Sequence, residues 1–163
     1  MSETRKVLRH ALLIVLLSAV VGLAARPSLL KRFLAGEFRE TFLVKADYPA
    51  IRMVSVREAE DAFASGGTFV FIDARAETVF REGHVPGARS VPYKADETKL
   101  PDSLLALPRD RGLVVYCEGG DCQSSLGLAK LCAAAGFKDI RVVTGGWAEW
   151  TKAGLPRETG EAK

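Results

Sequence analysis

The 163-residue chain is poor in cysteine, histidine and uncompensated charge. Its three cysteines and two histidines are too few for a disulfide framework, and one Cys-x4-Cys pair supplies at most half of a zinc site. The formal net charge is only +3, and most of that charge belongs to the first ten residues. A nucleic-acid backbone requires a concentrated basic face. We therefore expect no metal and no nucleic-acid partner.

No hydrophobic run in the sequence reaches the length of a full membrane span. The longest run, residues 11–25, has 15 residues, or about 22 Å of helix, against a hydrocarbon core of about 30 Å. Residues 1–25 are predicted to be a signal-anchor or transmembrane segment. A cleaved signal peptide and a soluble protein are the alternatives. Basic residues flank the run on both sides, so orientation rests on its signal-like layout, which favours an extracytoplasmic, periplasmic-side domain.

Residues 26–50 are predicted to form an amphipathic connector. Their apolar side chains recur at helical spacing, with basic residues between them. Such a segment either lies on an anionic lipid surface or packs against the domain that follows. The apolar positions are Leu29, Leu30, Phe33, Leu34 and Phe38.

The remaining chain is predicted to be one domain over residues 51–158, followed by a tail over 159–163. Short apolar or β-branched segments alternate with helical patterns, which is typical of a parallel sheet with helices on both faces. The predicted strands are 68–72, 88–91, 113–116 and 140–143. The predicted helices are 56–63, with Ser55 as N-cap, 76–81, 124–135 and 146–153.

Cys117 stands where a buried strand ends and a glycine-bearing turn begins. In parallel α/β sheets, ligands bind outside the carboxyl ends of the strands. Backbone N–H groups of the turn and the following helix N-terminus favour negative charge there, so Cys117 is expected to be partly thiolate and nucleophilic. A buried core cysteine is the alternative. The candidate oxyanion cradle comprises the backbone amides of Glu118, Gly119, Gly120, Asp121, Cys122, Gln123 and Ser124.

Five motifs between about residues 55 and 157 resemble a rhodanese-like domain in order and spacing. They are Asp73-Ala74-Arg75 after a strand, Gly83-His84-Val85-Pro86-Gly87-Ala88, Tyr116-Cys117, Gly145-Gly146-Trp147 and Gly154-Leu155-Pro156. The resemblance implies an α/β three-layer fold with a five-stranded parallel sheet, and a persulfide carried by Cys117 without a cofactor. It also implies that Asp73 and Arg75 brace the loops and that His84 holds loop structure. The implied partners are a sulfane-sulfur donor and a thiol or cyanide acceptor.

The loop after Cys117 departs from the usual pattern of that family. It is about two residues longer, and no lysine or arginine occurs between Cys117 and Ala129. Glu118 and Asp121 add negative charge, which raises the pKa of a nearby thiol and repels anions. We expect these carboxylates to disfavour a dianionic donor such as thiosulfate.

Cys122 admits three interpretations. It is a resolving thiol that attacks the inner sulfur of a Cys117 persulfide, an exposed partner in a redox switch, or a small residue whose sulfur takes no part.

The function expected first is that of a sulfurtransferase at the membrane. A non-catalytic binding or redox-sensing module is the second hypothesis. A phosphatase or arsenate reductase is the third, and it is disfavoured because its Cys-x5-Arg loop would need an arginine where Gln123 stands.

Overall fold

The computed structural model describes residues 6–11, 13, 14, 17, 18, 47–120 and 123–161. The chain divides into two compact units, residues 1–43 and 44–163. The described residues of the first unit are helical and exposed. Most of the predicted anchor and connector lies outside the described residues. Within the described part, no helix is both long enough and apolar enough to cross a membrane.

The second unit is built on a five-stranded, fully parallel sheet in the order β1-β5-β4-β2-β3. This confirms the predicted α/β fold. The strands are β1 Ile51–Val54, β2 Phe69–Asp73, β3 Arg89–Ser90, β4 Gly112–Tyr116 and β5 Ile140–Val143. Because β4 is the central strand, Cys117 follows the middle of the sheet.

In the described part of the second unit, five helices accompany the strands, and four were predicted to within one or two residues. They are α1 Val56–Ala64, α2 Glu77–Glu82, α3 Asp102–Leu105, α4 Gln123–Ala134 and α5 Gly146–Lys152. The predicted N-cap Ser55 is confirmed. Its hydroxyl accepts from Glu58 N–H, and the Glu58 carboxylate accepts from Ser55 N–H, which completes a capping box.

The residue-level sequence analysis missed β1 and α3, and it made β3 too long. β1 interrupts its apolar residues with the exposed Arg52 and gains strand geometry by pairing with β5, in register Ile51 with Ile140. β3 shortens to two residues because only Arg89 and Ser90 pair with β2. These differences arise from strand pairing, which local sequence patterns do not contain.

The side chains of β4 alternate between two hydrophobic cores, one on each face of the sheet. Leu113, Val115 and the following Cys117 join the core that contains α4. Val114 and Tyr116 join the core that contains Trp150 of α5. Helices therefore cover both faces of the sheet, which gives three layers. The Cys117 side chain lies on the face that α4 covers.

Candidate functional site

Cys117 is almost completely buried at the carboxyl end of β4. Ser125, in the first turn of α4, lies beside the Cys117 side chain and is also buried. The Ser125 Oγ lies 3.2 Å from the Cys117 Sγ, within hydrogen-bond distance for sulfur. The sequence analysis ended the cradle at Ser124 and missed Ser125. The available signal was the serine pair at the start of the predicted helix.

Cys117 is disulfide-bonded in this structure. Cys132 is a free thiol, fully buried in α4. Burial raises the pKa of Cys132 to about 12, so this thiol stays protonated near neutral pH. Cys122, the candidate resolving thiol, and Asp121 lie outside the described residues.

The first two residues of the Cys117 loop are held by the start of α5. The Trp147 N–H donates to the Cys117 carbonyl oxygen at 2.8 Å, and the Ala148 N–H donates to the Glu118 carbonyl oxygen at 2.9 Å. These bonds join the amino end of α5 to the loop. They fix the main chain on the carboxyl side of the Cys117 Cα.

This docking depends on glycine in both segments. Gly146 has φ +52°, and a Cβ built there would collide with the Cys117 carbonyl oxygen and lie 2.9 Å from Gly119 N. Gly119 has φ +128°, and its Cβ would collide with the Gly145 carbonyl oxygen. Two backbones meet here without intervening side chains, which explains the Gly145-Gly146 motif.

Arg75 connects the end of β2 to the loop. Its Nε donates to both carboxylate oxygens of Asp73 at 3.0 Å, and its NH2 donates to Asp73 Oδ2 at 2.6 Å and to the Gly83 carbonyl oxygen at 2.7 Å. Its NH1 reaches the Glu118 Oε2 at 3.0 Å. The guanidinium also lies 4.8 Å from the centroid of the Trp147 ring, a cation–π distance.

The contact with Arg75 corrects the expectation that the Glu118 charge is uncompensated. The local sequence contains no basic residue near Glu118, but the fold brings Arg75 to it from 43 positions earlier in the chain. The Glu118 side chain remains 60% exposed, so water also screens its charge. Its influence on an incoming anion is therefore weaker than the sequence implied.

Tyr116 and His84 complete the supporting structure. The Tyr116 hydroxyl accepts from Val85 N–H at 3.1 Å, and burial raises the pKa of Tyr116, so the hydroxyl remains protonated. The buried His84 ring stacks on Phe80 at 3.7 Å, with its Nδ1 2.9 Å from the Phe80 carbonyl oxygen. The His84 main chain pairs with Glu158. These contacts suit the loop-holding role that the resemblance implied for His84.

The described part of the cradle consists of Glu118, Gly119 and Gly120 on one side and Gln123 and Ser124, at the start of α4, on the other. No cluster of three metal-binding side chains occurs among the residues that the structure describes.

The rhodanese-like domain family matches residues 55–153. The chain belongs to this family. It is 32% identical over 111 residues to thiosulfate sulfurtransferase 16 of Arabidopsis thaliana, covering 63% of this chain and 89% of that protein. It is 30% identical over 97 residues to the thiosulfate sulfurtransferase YnjE of Escherichia coli, covering 52% of this chain and 22% of that protein.

A further relative is named as a transcriptional regulator and not as a sulfurtransferase. The HTH-type transcriptional regulator Rv0324 of Mycobacterium tuberculosis is 32% identical over 94 residues, with 58% of this chain and 39% of the regulator covered. The chain thus spans well under two thirds of the length of two of these three relatives.

Solved structures agree with the fold. A thiosulfate sulfurtransferase from Pseudomonas aeruginosa superimposes with a TM-score of 0.58 at 26% identity, covering 74% of this chain and 22% of that one. The BH2092 protein from Bacillus halodurans also has a TM-score of 0.58, at 21% identity, with 77% and 86% covered. The second likeness concerns the fold alone.

Proposed function

We propose that the protein is a sulfurtransferase that carries sulfane sulfur as a persulfide on Cys117. The observation that carries this proposal is the placement of Cys117 at the carboxyl end of the central strand. The Ser125 hydroxyl lies 3.2 Å from its sulfur, and its carbonyl oxygen accepts a hydrogen bond from α5. A fixed, hydrogen-bonded thiolate is the nucleophile that sulfur transfer requires. The sulfurtransferase names among its relatives support the same class of reaction.

In the first step, the Cys117 thiolate attacks the outer sulfur of a sulfane-sulfur donor. The donor's sulfur–sulfur bond breaks, and with thiosulfate the leaving group is sulfite. Ser125 and the loop amides stabilise the negative charge on the resulting persulfide. In the second step, a thiolate or cyanide attacks the outer sulfur and restores Cys117.

Intact-mass analysis of the reduced full-length chain tests this function. After incubation with thiosulfate or a polysulfide, we expect the mass to rise by one sulfur atom, and cyanide should then remove that sulfur as thiocyanate. Cys117→Ser should not gain the sulfur, whereas the buried Cys132→Ala should gain it normally. Sulfur uptake by Cys117→Ser would contradict the assignment. Loading without turnover by any acceptor would favour the binding or sensing module.

We further propose that residues 1–25 tether the domain to a membrane, with the domain on the extracytoplasmic side. The support is the apolar run over 11–25 and its basic amino-terminal flank. Membrane fractionation of the full-length chain tests the tether, and protease accessibility in spheroplasts tests the side. Recovery of the intact chain in the soluble fraction without detergent would contradict the tether.

A further inference from the structure

Tyr93 continues a row of main-chain hydrogen bonds that crosses the carboxyl ends of the strands. The Ala74 N–H, directly after β2, donates to the Tyr116 carbonyl oxygen of β4 at 2.8 Å, and the Tyr93 N–H, beyond β3, donates to the Ala74 carbonyl oxygen at 3.2 Å. Two strand spacings, or about 10 Å, therefore separate the Tyr93 main chain from the end of β4. The Tyr93 side chain packs against the core that contains Cys117 and α4.

The Tyr93 ring lies directly against the backbone of α4 at Gly127. A Cβ built on Gly127 would collide with the Tyr93 Cζ and would lie 2.5 Å from Cε1 and 2.6 Å from Oη. Glycine inside a helix destabilises it relative to alanine, but here it leaves the room that the ring needs. The contact joins α4 to a residue whose main chain is fixed at the β2–β3 side of the sheet.

The start of α4 depends on such lateral contacts. α4 packs on β4 and β5, and Tyr93 reaches it from the β2–β3 side. The first N–H groups of a helix have no carbonyl partner within the helix, so its first turn is held less firmly than the turns that follow. Ser125 lies in this turn, and its Oγ is 3.2 Å from the Cys117 Sγ. An outward displacement of about 1 Å would carry the hydroxyl out of hydrogen-bond distance.

We propose that Tyr93 is a positioning residue for the nucleophile. Its ring, packed on Gly127, holds the first turn of α4 where the Ser125 hydroxyl reaches the Cys117 sulfur. Tyr93 acts through Ser125 and is not itself a catalytic group. The inference rests on the proposed function because it takes Cys117 as the nucleophile. It adds a residue from the segment between β3 and α3, in which the sequence analysis found no site residue.

The expected consequence is a change in the reactivity of Cys117. A hydroxyl that donates to a thiolate stabilises the charged form and lowers the pKa of the thiol. When the Tyr93 ring is removed, the first turn of α4 loses its lateral contact and the Ser125 hydroxyl moves away from the sulfur. The pKa of the reduced Cys117 thiol should then rise, and less of the reactive thiolate is present near neutral pH.

The test is the pH profile of Cys117 alkylation by iodoacetamide in the reduced full-length chain, with the label on Cys117 located by tandem mass spectrometry. Tyr93→Ala should slow alkylation near neutral pH about fivefold, which is less than the full loss of the Ser125 hydrogen bond, and should move the profile to higher pH. Tyr93→Phe keeps the ring and should give the wild-type profile. A wild-type profile in a folded Tyr93→Ala protein would overturn the proposal.

Tyr48→Ala is the matched control. Like Tyr93, Tyr48 is half-buried and packs against the core that contains α4. The Lys130 ammonium of α4 lies 5.7 Å from the Tyr48 ring centroid, but Tyr48 precedes β1, at the opposite edge of the sheet from Cys117. The same truncation there should leave the alkylation profile unchanged. An equal shift in Tyr48→Ala would show that the profile follows general loosening of the core, which also overturns the proposal.

Gly127→Ala perturbs the same contact while it keeps the tyrosine. The added Cβ must displace either the ring or the helix, so the profile should again move to higher pH although alanine favours the helix. If Tyr93→Ala does not fold, Gly127→Ala decides in its place, and a wild-type profile there contradicts the positioning role.

A double-mutant cycle tests whether Tyr93 acts through Ser125. In the Ser125→Ala background the hydroxyl is already absent, so Tyr93→Ala should slow alkylation no further. A further slowing equal to that in the wild-type background would show that Tyr93 affects Cys117 by another route, and the proposal would be wrong.

Thiosulfate loading, measured by intact mass on the same variants, separates this inference from the function on which it rests. If wild type loads sulfur and Tyr93→Ala keeps the wild-type alkylation profile, the positioning role is wrong and the sulfurtransferase proposal stands. If wild type takes up no sulfur but the alkylation profiles shift as expected, the proposed function fails and the positioning role stands.

Discussion

Two carboxylates share the Arg75 guanidinium, one on the sheet side of the site and one on the loop side. Asp73 is fully buried at the end of β2 and accepts three hydrogen bonds from the Arg75 guanidinium. Glu118, in the loop, makes one contact and is 60% exposed. The same ion-pair chemistry therefore has two roles. Asp73 neutralises a buried charge that would otherwise be costly, while Glu118 orients the loop at a small net energy.

The largest expected effect is the loss of folding stability in Asp73→Asn. This change leaves the buried Arg75 charge without its principal counter-charge, and breaking a buried pair in this way costs about 3–5 kcal/mol. Urea denaturation should show that loss in the free energy of unfolding. The control is Glu77→Gln, which breaks the exposed pair with Arg81 and should cost about 0.5 kcal/mol or less. Equal losses in the two variants would contradict the assignment of Asp73 to the buried framework.

Gly146→Ala tests how closely the loop docks on α5. Gly154→Ala is the control, because Gly154 also has a positive φ, +71°, but a Cβ there meets nothing within 4 Å. Both variants carry the backbone strain of a left-handed alanine, and only Gly146→Ala carries the collision with the Cys117 carbonyl oxygen. We expect Gly146→Ala to lose about 1–3 kcal/mol more stability, and to lose sulfur loading as well. Equal stability and equal sulfur loading in the two variants would show that the loop shifts to accommodate the added Cβ at no cost in free energy.

Ser125→Ala removes the hydroxyl that lies within hydrogen-bond distance of the Cys117 sulfur. A hydrogen bond to a charged group contributes about 1.5–3 kcal/mol, so the pKa of the reduced Cys117 thiol should rise. Alkylation by iodoacetamide near neutral pH should slow about tenfold, and the pH profile should move to higher pH. Ser125→Thr should restore part of the rate. Ser124→Ala keeps the backbone amide and should leave the profile unchanged. An unshifted profile in Ser125→Ala would contradict the role of Ser125.

The smallest effect is expected for Glu118→Gln. The sequence alone suggests that Glu118 and Asp121 each disfavour thiosulfate. Because Arg75 pairs with Glu118 and water screens it, removing its charge should raise kcat/KM for thiosulfate less than about fivefold, an effect of at most about 1 kcal/mol. The gain should shrink as salt is added. A tenfold or larger gain at low salt would show that the Glu118 charge acts directly on the donor.

The fold was accessible from sequence because its evidence is local. The apolar run ending at Ile72, the run before Cys117 and the capping box at Ser55 each determine an element within a few residues. β1 was not accessible, since Arg52 breaks its pattern and pairing with β5 makes it a strand.

The site divides in the same way. Cys117, Asp73 and Arg75 are identifiable because each follows a strand in a recognisable motif. Ser125 is not identifiable from the sequence. Its role depends on how the start of α4, eight residues after Cys117, is placed relative to the sulfur. A sequence shows which groups are neighbours along the chain, whereas hydrogen bonds join neighbours in space.

The amino-acid sequence by itself determined the parallel α/β fold, the position of the candidate nucleophile Cys117 at a strand end, and the presence of a second thiol five residues on. Tertiary structure alone decided the pairing of Glu118 with Arg75 and the contact of the Cys117 sulfur with Ser125. The physical reason is that electrostatic and hydrogen-bond energies fall steeply with distance. Arg75 is 43 positions from Glu118 along the chain, but 3.0 Å separates their polar atoms once β2 and β4 pair.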